Sequence, residues 1–558
     1  MSSEFTVKIK NILLYLSLIS QFQNFSLAMT QEITRSFSDS SAEKILSQMS
    51  LDEKIGQLFI VGFPQNSFDQ KLKKHIQINK IGSFILFKRN ITDLVSLKKL
   101  NSELVQYSVE KLSVPPLLAV DQEGGNVARI ETTPKMPYFF QLGNIEDSNL
   151  IYQFGKYTAE LLSSLGFNLN LAPVLDLADS TESSFISLRS FGNNPIKVST
   201  LGYSYSKGLL DNGVIPTAKH FPGLGNSRND PHTSFTSRNT SLNDLETFDL
   251  KPFKEFSKLG PNSAVMLSHM VYKNLDHSLK PASFSQFIIK DLLRSRLGFS
   301  GVIITDDLQM KASSLASFGP SQAALEALMA GADIVMLSWS LTDQTKAFNL
   351  VKSAVSSGKL PIALVNEKVL RILSLKKNIH QKSNLLFKKF QTDDIRVLNQ
   401  VQKNIFTTKV NTALLNPELL LNSKNSKNKF CVVSNLNKIF DKFKFPNFHQ
   451  FLGFKLPQNT SAEEFVSFFK KCPCEVFFLI VDNFEQVRLL NAFSPSKDKK
   501  IVVFNYTHPS ALKNRDKFFN VIDFYGLASA DIEALSSRLQ EFSLLVSKKF
   551  KQNSFYKE

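Results

Sequence analysis

Three segments of this 558-residue sequence gather ionisable side chains beside glycines. The first is Asp121-Gln-Glu-Gly-Gly-Asn-Val-Ala-Arg129. An apolar run ends there in an acid, and a glycine pair lets backbone approach a ligand closely. Asp121 and Arg129 can grip the hydroxyls of a polar ligand, or pair with each other inside a turn. The second is Lys219-His-Phe-Pro-Gly-Leu-Gly-Asn-Ser-Arg-Asn-Asp-Pro-His-Thr-Ser234. Pro-Gly and Gly-Asn favour a loop, which carries Asp230 and His232 two residues apart. An aspartate beside a histidine orients the ring, favours its cation and suits it to proton transfer near neutral pH. The third is Gly301-Val-Ile-Ile-Thr-Asp-Asp-Leu-Gln-Met310. Asp306 and Asp307 are adjacent, so on an extended strand their side chains leave by opposite faces. One can serve as a carboxylate nucleophile toward an anomeric carbon. The other can cap the following helix.

These residues need a scaffold, and the hydropathy pattern supplies one. Eight apolar runs begin at Gly56, Gly82, Leu117, Phe167, Val214, Ala264, Gly301 and Ala332, with amphipathic stretches such as Leu150–Leu165 and Ser321–Ala330 between some of them. The runs lack polar alternation, as expected of parallel strands buried on both faces. Eight β-α repeats predict an α/β fold, a closed (β/α)8 barrel of the TIM type over residues 42–375. Asp121, His220, His269 and Asp306 each fall at or just past the C-terminal end of a run, the end where barrel active sites are built. Residues 376–400 form a Lys-rich, polar linker. Apolar runs at Phe430–Ser434, Glu475–Val481, Lys500–Phe504 and Phe519–Asp523 then predict a smaller C-terminal α/β layer domain over 401–550, with a mostly parallel sheet.

Composition narrows the class. Hydrophobic content of 43% and charged content of 21% match a folded globular protein. The net charge of +17 would attract anionic polymers. No Arg-rich or aromatic-interleaved nucleic-acid motif accompanies it, so no nucleic-acid partner is assigned. The three cysteines include a C-P-C pair, Cys472 and Cys474, too tight for an unstrained bridge and without the second pair of a zinc site. Lys8 and Lys10, the apolar run Ile12–Ile19 and Ser26-Leu-Ala28 resemble a secretory signal peptide over residues 1–28. Cleavage would make the protein periplasmic or extracytoplasmic; otherwise it is cytoplasmic. No run reaches the 18 apolar residues of a transmembrane segment. Oligomeric state is not legible.

The three segments resemble glycoside hydrolase family 3, and within it the bacterial β-N-acetylhexosaminidase branch of peptidoglycan recycling. The strings that carry the resemblance, in the family's order over roughly residues 45–375, include Asp121-Gln-Glu-Gly-Gly, Asn170-Leu-Ala-Pro-Val-Leu-Asp176, Arg189-Ser-Phe-Gly192, Lys219-His-Phe-Pro-Gly, Asp230-Pro-His232 and Ala330-Gly-Ala-Asp333. The resemblance implies a retaining exo-enzyme that removes terminal N-acetylglucosamine, with Asp306 as nucleophile and His232 as general acid/base partnered by Asp230. It implies that Asp121, Arg129, Arg189, Lys219 and His220 hold the sugar, with a carbohydrate substrate and no metal or organic cofactor. Leu224 stands where the family often has His, and Asn126 where it often has Arg. These departures bear on affinity and leaving-group preference more than on reaction class. A family 3 β-glucosidase, an N-acetylglucosaminide phosphorylase and a glycan-binding protein on a decayed barrel are the alternatives. The Asp-x-His loop speaks against the first. A metal-dependent hydrolase would require a tighter ligand spacing than His220 and His232 offer.

Overall fold

The computed structural model describes residues 36–132, 135–145, 147–178, 186–225, 237–310 and 319–386, five strands beyond these, and the isolated positions 467 and 490. The chain divides into two compact units. One comprises Met1–Glu123, Tyr152–Leu177 and Asn194–Gln391. The other comprises Gly124–Ile151, Ala178–Asn193 and Thr392–Glu558.

The first unit is a closed barrel of eight parallel strands. They are β1 (Phe59–Val61), β2 (Ser83–Leu86), β3 (Leu117–Val120), β4 (Leu169–Asn170), β5 (Ile215–Phe221), β6 (Ala264–Leu267), β7 (Val302–Asp307) and β8 (Ile334–Leu337). Each pairs with the next in sequence, and β8 returns to β1 through Phe59↔Val335, Ile60↔Met336 and Val61↔Leu337. Every one of the eight expected runs overlaps one of these strands. Residues of β1, β2, β3 and β6 are buried without exception, which is why their sequences are apolar throughout rather than alternating.

The helices are started by side-chain caps. Ser50 and Glu53 form a reciprocal capping box before Leu51–Gln57. Asp93 Oδ1 accepts from the amides of Val95 and Ser96, both at 2.9 Å, at the head of Leu94–Leu112. Such caps stabilise a helix by about 1 kcal/mol each. Leu94–Leu112 turns Leu97, Leu100, Leu104 and Leu112 inward at helical spacing.

Two pairings shift register, and both shifts fall where chemistry was expected. On β5, the three steps from Ala218 to Phe221 face two on β6, from Val265 to Leu267. On β7, the three steps from Ile304 to Asp307 face two on β8, from Ile334 to Met336. Irregularities of this kind re-aim side chains at barrel rims. Lys219 and His220 lie in the first, Thr305 and Asp306 in the second.

At the opposite, amino-terminal end of the strands, buried charge closes the barrel. Asp333 is inaccessible to solvent and pairs with Arg294 at 2.5 Å and Arg371 at 2.8 Å, while accepting from the Ile303 amide at 2.8 Å. Lys376 donates to Gln57 Oε1 and to the Gly82 carbonyl, both at 2.7 Å. Burial draws its pKa down to about 7. Lys376 lies on the helix Ile362–Leu386, so the first part of the expected linker is helical and packed on the barrel. Residues 387–400 of that linker lie outside the described residues.

In the second unit, the excursions 124–151 and 178–193 are tied together. Phe139 and Phe191 rings meet at 4.6 Å, and the Phe140 amide donates to the Leu188 carbonyl at 3.2 Å. The same unit holds a sheet of β9 (Phe430–Ser434), β10 (Phe451–Lys455), β11 (Val476–Val481), β12 (Lys500–Asn505) and β13 (Asn520–Asp523). Its order is β10-β9-β11-β12-β13 and every pairing is parallel. Four of these strands match the expected runs; β10 is an addition.

Candidate active site

Lys219, on β5, is the centre of a buried ionic cluster at the carboxyl ends of the strands. Its ammonium lies 2.9 Å from Asp121 Oδ1 and 2.7 Å from Glu123 Oε1. The Lys219 and Glu123 side chains are almost wholly buried, whereas Asp121 retains 14% of its side-chain surface. Asp121 directly follows β3, and Glu123 sits two residues on in the extended segment Gln122–Gly124, so alternation brings both carboxylates to one side. The residue between them is fixed from below. Asn170, the last residue of β4, accepts from the Gln122 amide and donates to the Gln122 carbonyl, both at 3.0 Å. An ion pair taken out of water stabilises little by itself, and its value here lies in holding charged groups in place.

His220, the neighbour of Lys219, is held by Asp176. One carboxylate oxygen accepts from both the His220 amide, at 3.1 Å, and ring Nδ1, at 2.7 Å. The other accepts from the Leu224 amide at 2.7 Å. Because a carboxylate only accepts, Nδ1 carries hydrogen, and Nε2 is the ring nitrogen left to act on a ligand. Asp176 is fully buried.

The end of β7 divides labour between its two aspartates. Asp307 accepts from the Ser338 hydroxyl, from the Ser338 amide at 3.2 Å and from the Gln309 amide at 3.1 Å. It therefore joins β7 to the residue after β8 and starts the following turn. Loss of surrounding water pushes its pKa up to about 6, against these hydrogen bonds and with a contribution from Asp306. Asp306, half-buried, has Oδ1 set by the Asp307 amide at 2.8 Å. His269, just past β6, donates from Nε2 to the Asp307 carbonyl at 3.1 Å and receives the Ser283 hydroxyl at Nδ1, at 2.8 Å. His269 is thus a latch between strand ends.

Of the residues expected from sequence, Asp121, Lys219 and His220 stand at the barrel mouth, the first two in contact, and Asp306 lies at the carboxyl end of β7 on the same rim. Arg129, after the short strand Val127–Ala128, and Arg189 are half-buried members of the second unit. Asp230 and His232 lie outside the described residues. Glu123, Asp176, Asn170 and Ser338 were not singled out as site residues. The signal for Glu123 was its i+2 spacing from Asp121; the others are partners that only the fold reveals. Among the described residues no group of three or more His, Cys, Asp and Glu could hold a metal ion. No described helix is long and apolar enough to cross a membrane.

Residues 50–375 match the glycosyl hydrolase family 3 N-terminal domain. A β-hexosaminidase of Neisseria meningitidis serogroup C is 39% identical over 266 residues, covering 46% of this chain and 71% of that one. The structure of NagZ from Neisseria gonorrhoeae in complex with N-trifluoroacetyl-D-glucosamine is 30% identical, covers 62% of this chain and 96% of its own, and superposes with a TM-score of 0.51. A family 3 β-N-acetylglucosaminidase from Paenibacillus sp. str. FPU-7 shares the fold over 88% of this chain and 97% of its own, with a TM-score of 0.69 at 24% identity.

Proposed function

Because this chain belongs to glycosyl hydrolase family 3 and is a glycosidase of that family, we propose that it is a retaining exo-β-N-acetylhexosaminidase that releases terminal N-acetylglucosamine from glycans, peptidoglycan fragments among them. The observation that carries this reading is the set of polar groups on the carboxyl ends of β3, β5 and β7: the Asp121–Lys219–Glu123 cluster, the Asp176-oriented His220, and Asp306. Fixed carboxylates accept from sugar hydroxyls, and Lys219 and His220 supply the opposite polarity. Arg129 and Arg189 are assigned to sugar binding by their sequence motifs alone.

In the proposed reaction an Asp306 carboxylate oxygen attacks the anomeric carbon while the bond to the leaving oxygen breaks. That oxygen takes a proton from His232, whose cationic form Asp230 favours. The same imidazole then removes a proton from water, the water oxygen attacks the anomeric carbon, and the ester to Asp306 breaks. Two inversions give retention. His232 and Asp230 enter this scheme from sequence alone. Asp307, tied to Ser338, is assigned to positioning.

The test is release of 4-nitrophenol from its N-acetyl-β-glucosaminide. Asp306→Asn should lower the rate by at least about 10³-fold. Hydrolysis of the β-glucoside in preference, or formation of a sugar 1-phosphate when phosphate is present, would contradict the reading.

A further inference from the structure

The chain contains one tryptophan, Trp339, and it is 60% exposed. It lies two residues past β8, at the same end of the barrel as Lys219 and Asp306. Its surroundings are more ordered than an exposed indole requires. The Arg89 guanidinium lies against its ring at 4.0 Å and against the Phe87 ring at 4.4 Å. Phe87 and Trp339 are near-parallel, 24° apart with centroids at 6.2 Å. Arg89 is anchored in turn, through Nε to the Phe63 carbonyl at 3.1 Å and through a terminal nitrogen to the Ser338 carbonyl at 2.5 Å. It therefore ties together the rim segments that follow three neighbouring strands: Phe87 and Arg89 after β2, Phe63 after β1 and Ser338 after β8. The close approach of the last two depends on Gly62, since a Cβ there would collide with the Ser338 carbonyl.

The indole's backbone is fixed as well. The Trp339 amide donates to Gln309 Oε1 at 2.7 Å, and Ser338 donates to Asp307 through its amide at 3.2 Å and through its hydroxyl. Asp307, next to Asp306, ends β7, and Gln309 lies in the turn that follows it. The rim that carries the indole is thus hydrogen-bonded directly to the turn at the proposed nucleophile. One indole face carries the guanidinium, and the residue as a whole stays 60% exposed. A rigid, flat, apolar surface with a polar N–H at its edge suits the C–H face of a pyranose. The deeply buried Lys219 and His220 suit a sugar enclosed by the mouth, whereas an exposed rim suits the ring that projects from it.

We propose that Trp339, braced by Arg89 and Phe87, is the stacking platform for the pyranose ring of the leaving group, the ring next to the terminal sugar. This rests on the exo-glycosidase reading above and adds a specificity-determining residue to it. Trp339 is the only tryptophan, so its emission reports on this position alone. In the full-length Asp306→Asn protein, N,N′-diacetylchitobiose should shift or quench the emission saturably, while N-acetylglucosamine should leave it in place. In parallel, W339A should lower the ratio of kcat/KM on diacetylchitobiose to kcat/KM on N-acetylglucosaminyl fluoride, which has no second ring, by about tenfold. W339F should restore most of that ratio. Calorimetric binding of diacetylchitobiose with unmoved emission, or an unchanged ratio in W339A, would overturn the platform and leave the exo-glycosidase reading intact. If the wild-type protein hydrolyses neither substrate, that reading fails, and the emission titration decides the platform by itself.

Discussion

The barrel buries ionic clusters at both ends, and they are built differently. At the amino-terminal end, Asp333 is inaccessible, faces two guanidiniums and accepts a main-chain amide. Its carboxylate is committed to protein groups on every side that the hydrogen bonds define. At the carboxyl end, Lys219 holds two carboxylates, and one of them, Asp121, keeps an accessible edge. Both arrangements bear the cost of desolvating charge. The first spends it on joining β7, β8 and two helices. The second keeps a charged oxygen within reach of a ligand. The comparison teaches that buried charge alone does not mark a site in this fold; the end of the strand and the accessible edge do.

Substitutions can break this contrast. Asp333→Ala removes the buried carboxylate shared by Arg294 and Arg371, leaving Arg371 its surface partner Glu367, and should cost about 3–5 kcal/mol of stability, read by denaturant unfolding. Turnover per folded molecule should be retained, and a matching loss of kcat would erase the distinction between the two ends. Asp121→Asn keeps an acceptor for Lys219 and removes the charge. It should lower kcat/KM ten- to a hundredfold, about 1.5–3 kcal/mol, with little change in melting temperature. Asn170→Ala removes its two hydrogen bonds to the Gln122 backbone and should cost about 1–3 kcal/mol of stability. It should also weaken substrate binding, because the carboxylates on either side lose their fixed spacing.

A pH slope at the base is a further test of the contrast. Lys376 has a folded pKa near 7, below the ordinary lysine value. Between the two, the unfolded chain holds a proton that the folded chain has released. Stability should therefore rise with pH across that window, and the contribution is lost as pH falls through about 7. Lys376→Met should flatten that slope in unfolding experiments run from neutral to alkaline pH, and should leave the pH profile of turnover alone.

The barrel was legible because buried parallel strands are apolar on both faces, so most left an uninterrupted run, although Asn168 and Asn170 interrupt the one around β4. β10 was not, because Phe451-Leu-Gly-Phe-Lys455 has a central glycine, no β-branched residue and a terminal lysine. Lys376 and Lys377 read as linker because lysines are usually solvated. Here Lys376 is buried at the base of the barrel and satisfied by Gln57 and Gly82. In the site, Asp121, Lys219, His220 and Asp306 stood out as polar residues ending apolar runs. Asp176 and Asn170 did not, since they act by holding backbone that comes from elsewhere in the chain. Trp339 was hidden by its position past the end of a run, where nothing in the local pattern links it to Arg89, 250 residues earlier.

The role of Asp306 can be read from a covalent adduct. A fluorinated N-acetylglucosaminyl fluoride that forms a slowly hydrolysed glycosyl-enzyme should add one sugar per chain. Peptide mapping should then find that sugar on Asp306. Labelling of Asp307 instead, or turnover of the reagent with no adduct at any residue, would contradict the account.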